Sequence, residues 1–356
     1  MKENVDMQHI MNITYGYQWI TLVWWILIGL FVVIYIILDG SDLGAGIYSL
    51  FHSDSEEKGS IMASMAGTWD ANETWLVVVG GSLFGTFPMA YGSLFHYLMI
   101  PLMFVLWGII LRAVSLEFHH YSERSRVCWD WGFGIGSLMV AFFAGVSLGA
   151  FLQGFPMSKA EVPTFSGSYL AFLTSFSFWT GVTATIAASL AGGVYLRARF
   201  DRESDVYHKA LKWTNVMFYL ALLAILSTVI WTFIQFPWAR SKWVGPYWWA
   251  FILAGAVVLY ATWAMRHASH QKRDVSAMLW LAVIVFINFA IMMVTIFPWF
   301  VPETMTIFDA ANPSNSSGAF TYTMLGFVPV MLFYNFYQAW VFRARLSKLA
   351  GYDSHA

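Results

Sequence analysis

Residues 19–38 form a run of twenty positions without one charged side chain. A helix that crosses a bilayer needs about 20 predominantly apolar residues. Eight more runs of this kind follow, at 61–91, 95–116, 131–153, 169–196, 213–236, 243–265, 275–300 and 320–342. Nearly all carry Trp or Tyr close to an end, where an amphipathic ring anchors a helix at the membrane interface. Gly29, Pro101, Gly145 and Pro329 lie inside these runs, and membrane helices tolerate such residues better than soluble ones do. The second run is overlong, so its start is expected in the cytoplasmic interface. The expected fold is an all-α integral membrane protein of nine transmembrane helices, bundled in small groups.

Charge agrees with this reading. Only 11% of the residues are charged and 59% are hydrophobic, whereas a soluble domain carries about 25% charged residues. With the N-terminus outside, only Lys2, Lys159, Arg240 and Lys242 of the nineteen Lys and Arg fall in outer segments. The other fifteen are inside, a strong positive-inside bias. Nine spans then put the C-terminus in the cytoplasm. Residues 1–18 are read as a periplasmic tail and 343–356 as a cytoplasmic tail. The first has no basic segment followed by a short apolar core, so no cleaved signal peptide is expected. No loop is long enough for a second domain, and 1–356 is read as one membrane domain. The longest loop, 301–319, is outside and rich in turn residues. A net charge of −1 gives no bulk attraction to nucleic acid. The single cysteine, Cys128, excludes an internal disulfide.

Against this apolar background, residues 67–117 stand out. Asp70 and Glu73 enter one membrane-length segment, and Arg112 and Glu117 leave the next. Asp39 and Asp42 are expected to end the first helix. A charge near the bilayer centre costs roughly 2.5–3.5 kcal/mol on insertion scales, so several in one hairpin need a reason. All six lie toward the cytoplasmic side. Asp70 and Glu73 are three apart and share a helix face. Trp69 and Trp75 suggest a dry setting for Asp70, with Arg112 as its counter-charge. Acids in such a place deliver protons inward, or else are interface charges in water.

Other residue types are less telling. The nine histidines fall in tails, loops or, for His96, an outer turn. No pair of axial haem ligands is evident, and no metal site is expected. The eighteen Met residues read as packing and most aromatics as interface belts. Gly44-Ala45-Gly46 and Gly80-Gly81 are patches that allow close helix approach.

The stretch Trp69-Asp70-Ala71-Asn72-Glu73-Thr74-Trp75-Leu76, with Gly80-Gly81 and Phe87-Pro88 behind it, resembles subunit II of cytochrome bd-type quinol oxidases. So do Asp39-Gly40-Ser41-Asp42-Leu43-Gly44, Arg112-Ala113-Val114-Ser115-Leu116-Glu117-Phe118, Trp129-Asp130-Trp131-Gly132, Gly149-Ala150-Phe151-Leu152-Gln153-Gly154 and Phe297-Pro298-Trp299-Phe300-Val301-Pro302. The blocks occur in family order. The Asp-Ala-Asn-Glu-Thr-Trp form is closer to the cyanide-insensitive branch. The other branch has a His before the Trp-Asp pair where this chain has Thr68, and an Asp where it has Glu117.

The resemblance implies a nine-helix subunit of the bacterial inner membrane, paired with a homologous subunit I that holds haems b and d and the quinol site. The complex oxidises quinol from the membrane pool, reduces oxygen to water and takes protons from the cytoplasm. Subunit II binds no haem in the family. It stabilises subunit I, contributes to proton delivery and in some members holds a structural quinone; a small single-span subunit is a further partner to expect. Asp39, Asp42, Asp70, Glu73 and Glu117 are then proton-pathway candidates, with Arg112 as charge partner and Trp69, Asn72 and Trp75 as structural residues of the motif. The rival readings are a secondary transporter, which needs a midplane site and broken helices, and a structural membrane partner without redox role.

Overall fold

The computed structural model describes residues 2–119, 121, 124–157, 165–312, 315–341 and 345. The fold is a helical bundle. Helix α1 is Lys2–Ser49, α2 Ser55–Met65, α3 Trp69–Thr86, α4 Pro88–Tyr97, α5 Met99–Phe118 and α6 Arg126–Leu152. After a loop come α7 Ser175–Arg199, α8 Asp205–Gln235, the short α9 Pro237–Trp243, α10 Trp248–His270 and α11 Asp274–Ile296. A small hairpin, β1 Trp299–Val301 and β2 Met305–Thr306, leads through α12 Ile307–Ala310 to α13 Asn315–Val341. Among the described residues six helices are long and apolar enough to cross a membrane: α1 (from Gln18), α5, α6, α8, α10 and α11. The chain is a multi-pass membrane protein.

Local chemistry sets the helix ends. Asp54 caps α2 by accepting the Glu56 N–H at 2.9 Å. Thr174 and Ser177 form a reciprocal cap at the start of α7. Pro88 begins α4 and Pro237 begins α9, the first-turn position where a missing N–H costs nothing.

Three expectations are corrected. Helix α1 does not end at Asp39 and Asp42; it continues to Ser49 and buries both. Tertiary partners satisfy the two carboxylates, so the chain does not need to leave the helix there. The expected span 61–91 is three helices. The chain breaks at 66–68, and again at Phe87, which the following proline pushes out of the α region. Helix α2 is buried within the chain from Glu57 to Met65. Helix α1 begins at Lys2, so the expected tail 1–18 is backbone-continuous with the first span. Of the tail 343–356, only Arg345 is among the described residues.

Small residues set how closely helices pass. A Cβ on Gly44 would stand 1.8 Å from the Ala188 carbonyl oxygen, and one on Gly192 2.0 Å from the Gly44 carbonyl carbon. Helices α1 and α7 therefore cross backbone to backbone. Gly108 and Gly136 do the same for α5 and α6. Gly80 and Gly81 make no such approach within this chain. Trp24, Trp25, Phe31, Trp75, Phe87 and Phe300 form the largest apolar core. A second surrounds α2 with Tyr48, Ile61, Met65, Leu116, Phe133 and Leu196.

Candidate functional site

Positions 35, 39 and 42 of α1 follow the i, i+4, i+7 spacing of one helix face. They bring Tyr35, Asp39 and Asp42 into the bundle, each buried. Helix α5 supplies Arg112, with 0% exposure, from the turn after its Gly108 contact with α6. Helix α3 supplies Asn72 and Glu73 from its first turns. Arg112 Nη2 donates to Asp39 Oδ1 at 2.6 Å and also to Glu73 Oε1. Asn72 Nδ2 donates to Asp42 Oδ2 at 2.8 Å. The Tyr35 hydroxyl adjoins Asp39 without closing a hydrogen bond of regular geometry. Asp39 Oδ2 and the Arg112 Nε and Nη1 groups are likewise buried and unpaired by protein.

Two carboxylates thus share one guanidinium, and a third, Asp42, lies on the same face of α1 as Asp39. A carboxylate can stay charged there only through a cation or hydrogen bonds. Arg112 serves Asp39 and Glu73 directly, while Asp42 has the neutral Asn72. The three acids are held in unequal environments, the arrangement from which a proton can be taken up and released.

The structure groups the expected residues differently from the sequence reading. Arg112 pairs with Asp39 and Glu73, not with Asp70. Asp70 is exposed on this chain; its own carbonyl accepts the Thr74 hydroxyl at 3.0 Å. Glu117 is also exposed, one residue before the end of α5. Trp69 is half-buried against the α2 core. Trp75 is fully buried, stacks at 5.7 Å from Phe31, and its indole N–H reaches Asn335 at 3.3 Å. Asn72, expected to be structural, is the direct partner of Asp42.

Two further ionic clusters escaped the sequence reading. Arg197 on α7 donates to Asp274 Oδ1 at 2.7 Å and to the Ser269 hydroxyl at 2.5 Å, and Arg345 donates to Asp274 Oδ2 at 3.0 Å. His119 Nε2 stands 3.0 Å from Asp130 Oδ1, whose other oxygen accepts the Ser55 hydroxyl at 2.8 Å. Each joins residues more than seventy apart or across a loop, so no local pattern announces them. The first ties α7, α10 and α11 together; the second fastens α2 to α6. Arg202, 54% exposed and 3.9 Å from Asp274, is peripheral. Its replacement by alanine should shift stability by no more than about 1 kcal/mol, the usual worth of an exposed pair, when thermal midpoints of the purified protein are compared.

Three histidines have polar partners in the protein: His52 is bonded to the Tyr48 carbonyl, His119 lies 3.0 Å from Asp130 and His267 is bonded to Gln271. Among the described residues, no group of three His, Cys, Asp or Glu is placed to hold a metal ion.

Fold and site together define a multi-pass helical membrane protein built around buried, ion-paired carboxylates. The family model for cytochrome bd terminal oxidase subunit II matches residues 20–342. The chain belongs to that family. It is 31% identical over 188 residues to cytochrome bd-I ubiquinol oxidase subunit 2 of Escherichia coli K12, a match covering 51% of this chain and 50% of the relative. It is 27% identical over 208 residues to cytochrome bd ubiquinol oxidase subunit 2 of Bacillus subtilis, covering 57% and 60%. The chain spans about half the length of the curated relatives it matches. Its fold is similar to that of a chain in the bd oxidase structure from Geobacillus thermodenitrificans, with a TM-score of 0.75 and 16% identity over 91% of this chain and 98% of that one.

Proposed function

We propose that this chain is the haem-free subunit of a bd-type terminal oxidase in the bacterial inner membrane, and that it carries cytoplasmic protons toward the site of oxygen reduction. Haems b and d and the quinol site then belong to the partner subunit I. The nine-span topology has the N-terminus outside and the C-terminus inside; α3 with α4, α7 and α13 add three spans to the six apolar ones. The motif Asp70-Ala71-Asn72-Glu73-Thr74-Trp75 favours the cyanide-insensitive branch. A structural quinone and a small single-span subunit are compatible additions.

The observation that carries the reading is the buried cluster of Asp39, Asp42 and Glu73 around Arg112, one turn from an exposed Asp70. Glu73 and Asp70 share a face of α3. In this reading protons reach Asp42 and Asp39 from the cytoplasm, Arg112 holds the charge balance, and Glu73 passes them to Asp70 at the surface that the partner covers. Glu117, exposed at the end of α5, is a collecting acid at the cytoplasmic rim. Oxygen reduction consumes protons, so the flow has a sink.

Asp39→Asn and Asp70→Asn each keep shape while removing a titratable group. Both are expected to lower quinol-dependent oxygen uptake, normalised to haem absorbance, with haem content unchanged. Normal normalised turnover in both would refute the relay. Lost haem content with normal turnover per haem would make the cluster purely structural.

A further inference from the structure

An apolar cluster around α2, in which Ile61, Met62 and Met65 are fully buried, also takes in Ala45 and Tyr48 of α1, which follow Asp42. Tyr195 of α7 packs against this cluster, and its hydroxyl bonds to α2. The Gly44–Gly192 contact fixes where that hydroxyl lies. Asp42 is two residues before Gly44 on α1, and Tyr195 three residues after Gly192 on α7. In the proposed topology α1 and α7 run in the same direction, so Tyr195 sits on the cytoplasmic side of Asp42. At 1.5 Å of rise per residue the two Cα levels differ by roughly 7–8 Å.

The second observation concerns what the hydroxyl does now. Tyr195 Oη donates to the Ser64 carbonyl at 2.8 Å. Arg199 donates to the same oxygen through Nε at 3.2 Å and Nη2 at 3.0 Å. Ser64 lies in the last turn of α2, where carbonyls lack helical partners and a cation is favoured. The carbonyl thus keeps two donors if Tyr195 lets go. The phenol is a dispensable third donor for Ser64 and a half-buried polar group flanking the same α1–α7 crossing as Asp42.

We propose that Tyr195 is the proton-transferring link between the cytoplasmic rim near Arg199 and the Asp42 carboxylate. The inference rests on the relay reading of Asp42 and Asp39. Oη accepts a proton from a hydronium of the cytoplasmic solvent on the Arg199 side, which is left as water, and releases its own O–H proton to Asp42. One O–H bond forms and one breaks at the phenol oxygen, Asp42 becomes the acid, and no electron moves. The hydroxyl then turns back to Ser64.

The test compares Tyr195→Phe, Arg199→Gln and Asp39→Asn in the intact oxidase complex. Haem content, haem-normalised oxygen uptake and its solvent deuterium isotope effect are measured. Tyr195→Phe is expected to lower uptake by about tenfold, less than the roughly 10²-fold that a well-placed proton-transfer group contributes, because water can partly replace it. The isotope effect is expected to rise and haem content to stay normal. Arg199→Gln serves as the tether control, because it loosens α2 while leaving the phenol in place. If Tyr195→Phe and Arg199→Gln both lower haem content and leave the isotope effect unchanged, Tyr195 is only a tether and the inference fails. Wild-type uptake in Tyr195→Phe beside impaired Asp39→Asn overturns the role of Tyr195 alone. Wild-type uptake in both overturns the relay reading as well. Impaired Tyr195→Phe beside normal Asp39→Asn overturns the order in which Tyr195 feeds Asp42 and Asp39.

Discussion

Arg112→Leu is expected to prevent accumulation of the folded subunit. Arg112 and Asp39 are both 0% exposed, and Glu73 is 16% exposed at its side chain. The substitution removes the cation and strands two carboxylates beside Asp42, a third buried acid. Removing one member of a buried pair costs about 3–5 kcal/mol, a large part of the about 5–15 kcal/mol that holds a typical domain folded. Arg112→Lys keeps the charge but replaces a planar fork by a point charge on a shorter reach. It is expected to accumulate with a lowered thermal midpoint. The measurement is the amount of chain in isolated membranes together with the melting midpoint of the detergent-purified complex. Wild-type amount and midpoint for Arg112→Leu would mean that the pairs contribute nothing to the fold.

The same arginine shows what the sequence could and could not tell. Arg112 was legible as an unusual charge because its neighbours are apolar, and Glu73 and Asp42 stood out for the same reason. Their pairing was not legible. Trp69 and Trp75 made Asp70 look enclosed, but a helix has two sides. Trp75 faces the core with Phe31, while Asp70, five residues earlier, points away from this chain. Asp39 and Asp42 looked like the end of a helix because charge usually marks the membrane boundary. Helix α1 continues because Arg112 and Asn72, 73 and 30 residues away from Asp39 and Asp42, bond to them. Partners at that separation leave no trace in local periodicity.

Six of the nine expected spans coincide with helices long and apolar enough to cross a membrane among the described residues, since a spanning helix is a local, length-limited pattern. The run 61–91 does not. Its apolar content is continuous, yet Gly67-Thr68 and Phe87-Pro88 interrupt the backbone. The polar segment of α2 was hidden for another reason. Glu57 is answered by Lys209 at 2.6 Å, and Lys58 lies over the Trp131 ring at 5.3 Å. A sequence rich in charge is thereby buried, each group by a different distant residue.

Gly192→Ala is expected to be as disruptive as many larger core substitutions. The added carbon would lie 2.0 Å from the Gly44 carbonyl carbon and 2.2 Å from the Ala45 nitrogen. Both are backbone atoms of a helix, so no side-chain rotation makes room, and α1 and α7 must separate. Overpacking typically costs 1–3 kcal/mol, occasionally more; a forced shift of two backbones belongs at about the upper end. Gly255 on α10 supplies the contrast, because a Cβ there meets no atom within 4 Å. Gly255→Ala should be neutral or stabilising, by up to about 1 kcal/mol of helix propensity. The two melting midpoints, measured on the same purified complex, should therefore move in opposite directions or differ by several degrees. Equal midpoints would show that the α1–α7 crossing is not a tight contact. The crossing also sets the distance between Asp42 and Tyr195. Whatever Gly192→Ala complex survives should turn over slowly per haem, a loss that Gly255→Ala does not share.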